Sequence, residues 1–273
     1  NQLATSLAAL NTQIAADNDP ANNNAGLLDS RDQILTKLSS YGDLKITYNT
    51  NNTVQVQMGG TSGPVLVNGN TASNLAMTTA SNGTVSYTVG GSALTLSGGS
   101  LAGDQQALIT GAGGQSQLDT IASTLISTVN TAQTNGTDLT GTAGVAMFSG
   151  TSAGTMTIAL TSGSQIAAAK SGSAANSQDA TNLTSMQSAI SSAGTSNSTN
   201  QLIFSLSSAV SGATTTQTAL DTISSNAKTS LASQAGVSLD TEATNLIQYQ
   251  QAYQASGKVI QVAQTLFDQL LNI

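Results

Sequence analysis

The chain opens with apolar residues at helical spacing. One apolar stripe has residues at alternating steps of four and three: Leu3, Leu7, Leu10 and Ile14. Such a stripe is typical of an amphipathic helix with one buried face. The stripe stops at Asp17–Pro20, and helical spacing resumes from Leu27 to about Tyr41. We therefore predict a helical hairpin over residues 1–42, with a turn at Pro20.

The hydrophobic period changes to two after residue 42. Apolar and polar residues alternate over Val54–Met58, Val85–Val89 and Leu94–Leu96. Asn68-Gly69 and Asn82-Gly83 are turn signals of the kind that close β-hairpins. The pattern predicts a small antiparallel β module, which we place at residues 43–112 as an insertion between helices.

Helical spacing returns after the β module and is interrupted once. We expect a rod helix at 113–135, an irregular patch at 136–176 with a strand at 156–160, and rod helices at 177–236. In the last segment one long helix should run from Ile203 to Gly236, after the Ser/Gly tracts at 171–177 and 191–199. The predicted class is α+β: an elongated multi-helix rod domain with a long C-terminal helix and an inserted small antiparallel β domain.

Residues 237–273 carry the most regular apolar pattern of the chain. Seven apolar positions recur on average every ~3.5 residues, as in a coiled coil. They are Leu246, Tyr249, Tyr253, Ile260, Ala263, Phe267 and Leu270. We call these seven residues the seam. Two interpretations fit the spacing equally well. The seam is either an assembly interface for another chain or part of a bundle core with the helices at 3–16 and 118–132.

The chain lacks several of the residue types that most often carry out catalysis. The chain has no His, Cys or Trp and only six basic residues, with a formal net charge of −7. It therefore lacks an imidazole base and a thiolate, and we predict no enzyme activity, metal or cofactor. The densest charged cluster, Asp29, Arg31 and Asp32, is interpreted as solvated helix charges or local ion pairs. Net negative charge disfavours nucleic acid, and no apolar run is long enough to predict membrane insertion.

Four segments resemble a known family. They are Gly236–Ala255, Leu27-Leu28-Asp29-Ser30-Arg31-Asp32-Gln33, Gly136-Thr137-Asp138-Leu139-Thr140-Gly141 with Phe148, and Ser164-Gln165-Ile166-Ala167-Ala168. Together they are similar to the flagellar hook-associated protein family that joins hook to filament. The ending by itself also fits hook and rod relatives, which share a related terminal helix, so the internal segments carry the distinction.

The resemblance implies a structural subunit that is secreted through the flagellar export apparatus to the extracellular hook–filament junction. It implies a homo-oligomeric ring, contacts with the hook protein and the next hook-associated protein, and an export chaperone on the C-terminal helix. Family members begin with a long helical segment that pairs with the region 238–273, and this chain is expected to start after it. The alternative is a surface-exposed binding or adhesin module in which the β insertion contacts a ligand.

Overall fold

The computed structural model describes residues 1–16, 25–235 and 244–258. The chain divides into two units, Asn1–Ala209 and Val210–Ile273. The helices are α1 (Gln2–Ala16), α2 (Ala25–Tyr41), α3 (Ser100–Thr134), α4 (Thr181–Ser192), α5 (Thr195–Ala235) and α6 (244–258). With the strands below they confirm the predicted α+β class, and α1 and α2 confirm the first two predicted helices. The turn expected at Asp17–Pro20 lies outside the described residues.

The β module contains two antiparallel sheets. The first has the strand order β1 (Leu44–Tyr48), β2 (Val54–Met58), β3 (Val65–Asn68), β4 (Thr71–Ala72), and the second has the order β5 (Leu75–Thr79), β6 (Val85–Val89), β7 (Ser92–Leu94). Both are meanders, because every strand pairs with its neighbour in sequence. Farther along the chain, β8 (Gly136–Thr137) pairs with β11 (Ala169–Lys170), and β9 (Phe148–Ser149) pairs with β10 (Thr157–Ile158).

The main core lies between the β module and the helices α1 and α2. Leu7, Leu10 and Ile14 of the predicted α1 stripe are buried and Leu3 is partly buried. The alternating apolar residues of β2 and β6 are buried as well. Leu7, Val54, Val56 and Val67 are completely inaccessible to solvent. Because α1 and α2 bury their apolar faces on the sheets, the module and the hairpin share one core.

A buried amide fixes α1 to this sheet. The Nδ2 of Asn11 donates to the carbonyl oxygens of Val54 and Gly69 at 2.8 and 2.9 Å, and its Oδ1 accepts from the Val54 amide at 3.0 Å. Asn11 is only 1% exposed, so its polar atoms are satisfied within the protein. It joins the first helix to strand β2 and to the β3–β4 turn.

The structure corrects three predicted boundaries. Helix α3 begins at Ser100, inside the segment assigned to the β module, because Leu101 packs against the core and the Gln105 side chain donates to the Val85 carbonyl. Helix α4 ends and helix α5 begins within the predicted separating tract at 191–199, so α5 starts at Thr195 rather than at Ile203. The strand predicted at 156–160 is reduced to Thr157–Ile158.

Candidate assembly interface

Helix α5 presents apolar side chains to solvent along its length. Within the second unit, the exposed large apolar residues of this helix are Val210, Leu220, Ile223 and Leu231, with fractional exposures of 58–66%. Every described residue of α5 from 210 to 233 is exposed. Helices usually bury such a face, so this part of α5 is a surface available to a partner.

Helix α6 carries the described part of the seam. Leu246, Tyr249 and Tyr253 are 68%, 75% and 83% exposed, and the neighbouring Ile247 is 53% exposed. The remaining seam residues, Ile260, Ala263, Phe267 and Leu270, lie outside the described residues. The structure thus places three of the seven on one helix with their side chains in solvent, and the role of the seam stays a prediction.

Several threonine hydroxyls of α5 bond to the backbone of their own helix. The hydroxyls of Thr214, Thr218 and Thr222 donate to the backbone carbonyl four residues earlier, at 2.9–3.0 Å. The charged residues of this helix are Asp221 and Lys228. With only two charged residues on this helix, this surface offers packing contacts rather than ionic recognition.

The one charged cluster singled out in the sequence is structural. Arg31 is 7% exposed, and its Nε donates to the Asp32 carboxylate at 2.8 Å. Its guanidinium also donates to the Asn52 carbonyl at 2.8 Å and lies 5.0 Å from the centre of the Tyr48 ring. The predicted local ion pair is therefore present, but Arg31 is buried rather than solvated. It holds α2 against the β1–β2 hairpin.

Two segments that carry the family resemblance meet at the end of α3. The Leu139 amide donates to the Ser164 carbonyl, and Thr137 pairs with Ala169 across β8 and β11. The Asp138 carboxylate accepts from the amides and hydroxyls of Thr140 and Thr142. The side-chain hydrogen bond from Thr140, together with the other donors, lowers the pKa of Asp138 below its usual value.

Two buried amides that sequence reasoning missed complete this region. Gln133 donates to the Gln165 carbonyl at 2.6 Å and accepts from the Ala167 amide at 3.2 Å. Asn182, on α4, donates to the carbonyls of Ala132 and Ala167 at 2.9 and 2.6 Å. A signal existed for Gln133, which falls one helical turn after the buried Val129 and therefore on the buried face of α3.

The described part of the chain contains neither a metal-binding cluster nor a helix able to span a bilayer. Among residues 1–16, 25–235 and 244–258 there is no cluster of three or more metal-ligating side chains. No helix in those same ranges has the length and apolar character needed to span a bilayer. A depression of about 420 Å³ beside α3 contains Asp119, but its carboxylate already accepts from the Ala153 amide and the Gln115 side chain.

Comparison with known proteins gives two family matches. Residues 1–148 match the flagellar hook-associated protein FlgK helical domain, and residues 229–273 match the C-terminal domain of the flagellar basal body rod FlgEFG proteins. A similar solved structure is the flagellar hook junction protein FlgK from Burkholderia pseudomallei, at 30% identity and a TM-score of 0.46. That match covers 54% of this chain and 28% of the other. No curated protein matches the chain significantly.

Proposed function

We propose, from the premise that this chain belongs to the flagellar hook-associated protein FlgK family, that it is a structural subunit joining the flagellar hook to the filament. The family match to residues 1–148 identifies a helical domain of a flagellar structural protein. The separate match of residues 229–273 to rod proteins agrees with a terminal helix shared among axial flagellar components. The observation that carries the assembly role is the exposed apolar face of α6.

The exposed seam is costly unless a partner covers it. Leu246, Tyr249 and Tyr253 leave most of their side-chain surface in water. Full burial of a large apolar side chain is worth about 1.5–3 kcal/mol, so these three positions represent several kcal/mol available for association. Their spacing suits knobs-into-holes packing against another helix. The proposed interface is the full seam, including the positions beyond residue 258.

The proposed partners follow from the position of a junction subunit. Copies of the chain form a ring, one side of which contacts the hook protein and the other the next hook-associated protein. Before assembly an export chaperone binds the C-terminal helix. The subunit passes through the flagellar export apparatus and acts outside the cell. The proposed organisation remains a rod domain that carries the β module, with 237–273 as the assembly helix.

Substitution of the seam tests this function directly. In the full-length protein, Leu246→Asp combined with Ile260→Asp places two carboxylates in the apolar interface, where burying them without partners is strongly unfavourable. We expect hooks without attached filaments, counted by electron microscopy in cells that carry only the variant. The matched control is Gln251→Asp with Gln261→Asp, which adds the same charge away from the seam.

Secretion must be measured in the same cells, because loss of export would also leave hooks bare. Immunoblots of the culture medium should show the double seam variant and the control at similar levels. If filaments attach normally with the seam variant, the seam is not the junction interface and the proposal is wrong.

A further inference from the structure

Three asparagines in the sequence are followed directly by glycine: Asn68, Asn82 and Asn135. In such a pair the backbone nitrogen of the glycine can attack the side-chain amide of the asparagine, because glycine has no side chain that hinders the approach. The attack closes a succinimide ring and releases ammonia. A folded protein permits it only where the glycine nitrogen is free, the backbone can turn and the ring has room. The three pairs differ in these respects.

The Asn68-Gly69 pair is open to this reaction. Asn68 ends β3, and Gly69 begins the two-residue connection to β4. The side chain of Asn68 is exposed, and among the described residues no hydrogen bond involves that side chain or the Gly69 nitrogen. A Cβ added at Gly69 would meet nothing within 4 Å, so a ring that includes the Gly69 nitrogen has space beside the turn.

The backbone at Asn68 can also turn toward the attacking nitrogen. Asn68 pairs with Thr71 at the end of the β3–β4 ladder, which has only one further pair, Val67 with Ala72. The end of so short a ladder opens at little cost in free energy. Opening frees the backbone of Asn68, while the buried Val67 stays in the core.

The Asn82-Gly83 pair is exposed but held by hydrogen bonds. The Gly83 nitrogen donates to the Ala80 carbonyl at 2.9 Å. The Asn82 Oδ1 accepts from the amide and the hydroxyl of Thr84 at 3.2 and 2.7 Å. The attacking nitrogen and the amide that it attacks must both leave these hydrogen bonds before the ring can close, which slows the reaction.

The Asn135-Gly136 pair is blocked by packing. Gly136 is buried and pairs with Lys170 across β8 and β11. A Cβ added at Gly136 would collide with the Asn182 side chain and with the Ala167 carbonyl. A succinimide ring at this position therefore requires the contacts between α3, α4 and β11 to open first.

We propose that Asn68 is a site of spontaneous deamidation, and that the isoaspartate formed there detaches α1 from the β3–β4 turn. The Gly69 nitrogen bonds to Cγ of Asn68 and gives its proton to hydroxide, while the Cγ–Nδ2 bond breaks and ammonia leaves. Water then opens the succinimide ring. Hydrolysis at Cγ yields aspartate, and hydrolysis at the backbone carbonyl of residue 68 yields isoaspartate, in which the main chain runs through the side-chain carbons.

Isoaspartate at this position acts on the contact between α1 and the sheet. The Asn11 Nδ2 donates both to the Gly69 carbonyl at 2.9 Å and to the Val54 carbonyl at 2.8 Å. Isoaspartate adds a methylene to the main chain just before Gly69, and the geometry of a tight hairpin turn depends on its length. The Gly69 carbonyl therefore moves relative to Val54, and one amide can no longer bond to both.

Ageing of the full chain tests the site. The protein is incubated at mildly alkaline pH, either folded or in concentrated urea, and the replacement of NH₂ by OH is followed at each asparagine by mass spectrometry. Pepsin is the suitable protease. The sequence has no lysine or arginine between Lys45 and Lys170, so trypsin would leave all three pairs in one fragment.

In the folded chain we expect Asn68 to convert at least about five-fold faster than Asn82, the factor that corresponds to one net hydrogen bond. Asn135 should be the slowest. In urea the three rates should become similar, because the same residue follows each asparagine. Conversion of Asn82 or Asn135 as fast as that of Asn68 in the folded chain would overturn the assignment of the site.

Hydrogen exchange tests the consequence for α1. As isoaspartate accumulates, measured by enzymatic methylation, exchange in peptides that cover α1 and β4 should become about five-fold faster, as for the loss of one net hydrogen bond. The matched control Asn68→Gln keeps an amide at this position but must close a larger ring, which forms far more slowly. After the same ageing it should exchange like the fresh protein.

A second variant separates the new charge from the longer main chain. Freshly prepared Asn68→Asp carries the charge of the product on an ordinary backbone, so its exchange in α1 should match that of the unaged protein. The proposal is wrong if exchange in α1 stays unchanged after residue 68 has become isoaspartate, or if it rises equally in aged Asn68→Gln. Fast exchange in fresh Asn68→Asp would assign the effect to charge and contradict the proposed mechanism.

Discussion

Replacement of Asn11 by alanine should strongly destabilise the first unit. The side chain makes three hydrogen bonds to the backbone of β2 and of the β3–β4 turn, at 2.8–3.0 Å. Alanine removes all three and leaves the Val54 amide and carbonyl, and the Gly69 carbonyl, without these partners. Because Asn11 and Val54 are both buried, water does not readily replace the lost bonds.

The magnitude can be estimated from these contacts. Three buried hydrogen bonds contribute about 1 kcal/mol each, and an orphaned backbone group in the core adds about 1–3 kcal/mol. The better helix propensity of alanine offsets roughly 0.5 kcal/mol. We therefore expect the free energy of unfolding of this unit to fall by about 4 kcal/mol. Asn11→Leu should cost a comparable amount, because leucine has the same branched heavy-atom shape but makes none of the hydrogen bonds.

The assay must report on the first unit alone, since the chain has two units. Urea titration followed by hydrogen exchange and mass spectrometry, on peptides covering residues 44–58, meets this need. The control Gln13→Ala lies on the exposed face of the same helix and should change stability by less than about 0.5 kcal/mol. A loss below about 1 kcal/mol for both Asn11 variants would refute the idea that this amide fastens α1 to the sheet.

Three further predictions concern the same unit. The hydrogen bonds to the Asp138 carboxylate, first of all the one from the Thr140 side chain, lower the pKa of Asp138 in the folded protein. The ionised carboxylate therefore stabilises the fold above the pKa of the unfolded chain, and this stabilisation is lost on acidification. The urea midpoint should fall between about pH 5 and pH 3, and less steeply in Asp138→Asn. Arg31→Lys should lower stability by about 1–3 kcal/mol and speed exchange near Asn52, because lysine cannot reproduce the guanidinium contacts; unchanged exchange would contradict this. Gly111→Ala should increase the free energy of unfolding by up to about 1 kcal/mol and so raise the urea midpoint. Alanine favours a helix more than glycine does, and the added Cβ meets nothing within 4 Å.

Sequence periodicity located the elements that bury one face. The stripe of α1 and the alternation in β2 and β6 each predicted which residues enter the core, because burial of one face imposes a regular pattern. The same reasoning failed for the first half of α3. The prediction assigns residues up to 112 to the β module, yet the helix begins at Ser100 and continues through Gly111, Gly113 and Gly114. Contacts of Leu101 and Gln105 with the β module support its start.

The amide contacts could not be predicted, for a different reason. Gln133 and Asn182 are distant in sequence, and both bond to Ala167 in a third segment. A polar residue on a buried helix face indicates that a partner exists but does not identify it. At the candidate interface the sequence predicts the residues of the face but not the partner that covers them. Spacing identified Leu246, Tyr249 and Tyr253 as one face, whereas choosing what covers that face requires information from outside the helix.

The exposed part of α5 also depends on outside contacts. Between residues 210 and 233 every side chain is exposed, and the sequence is rich in Thr and Ser, which favour helix less than Ala or Leu. The hydroxyl bonds from Thr214 and Thr218 to the preceding turn add little, since such bonds do not strengthen a helix. Helices without a packed face are marginal in water. The exposed apolar positions Val210, Leu220 and Leu231 are therefore the ones through which a packing partner would stabilise this helix.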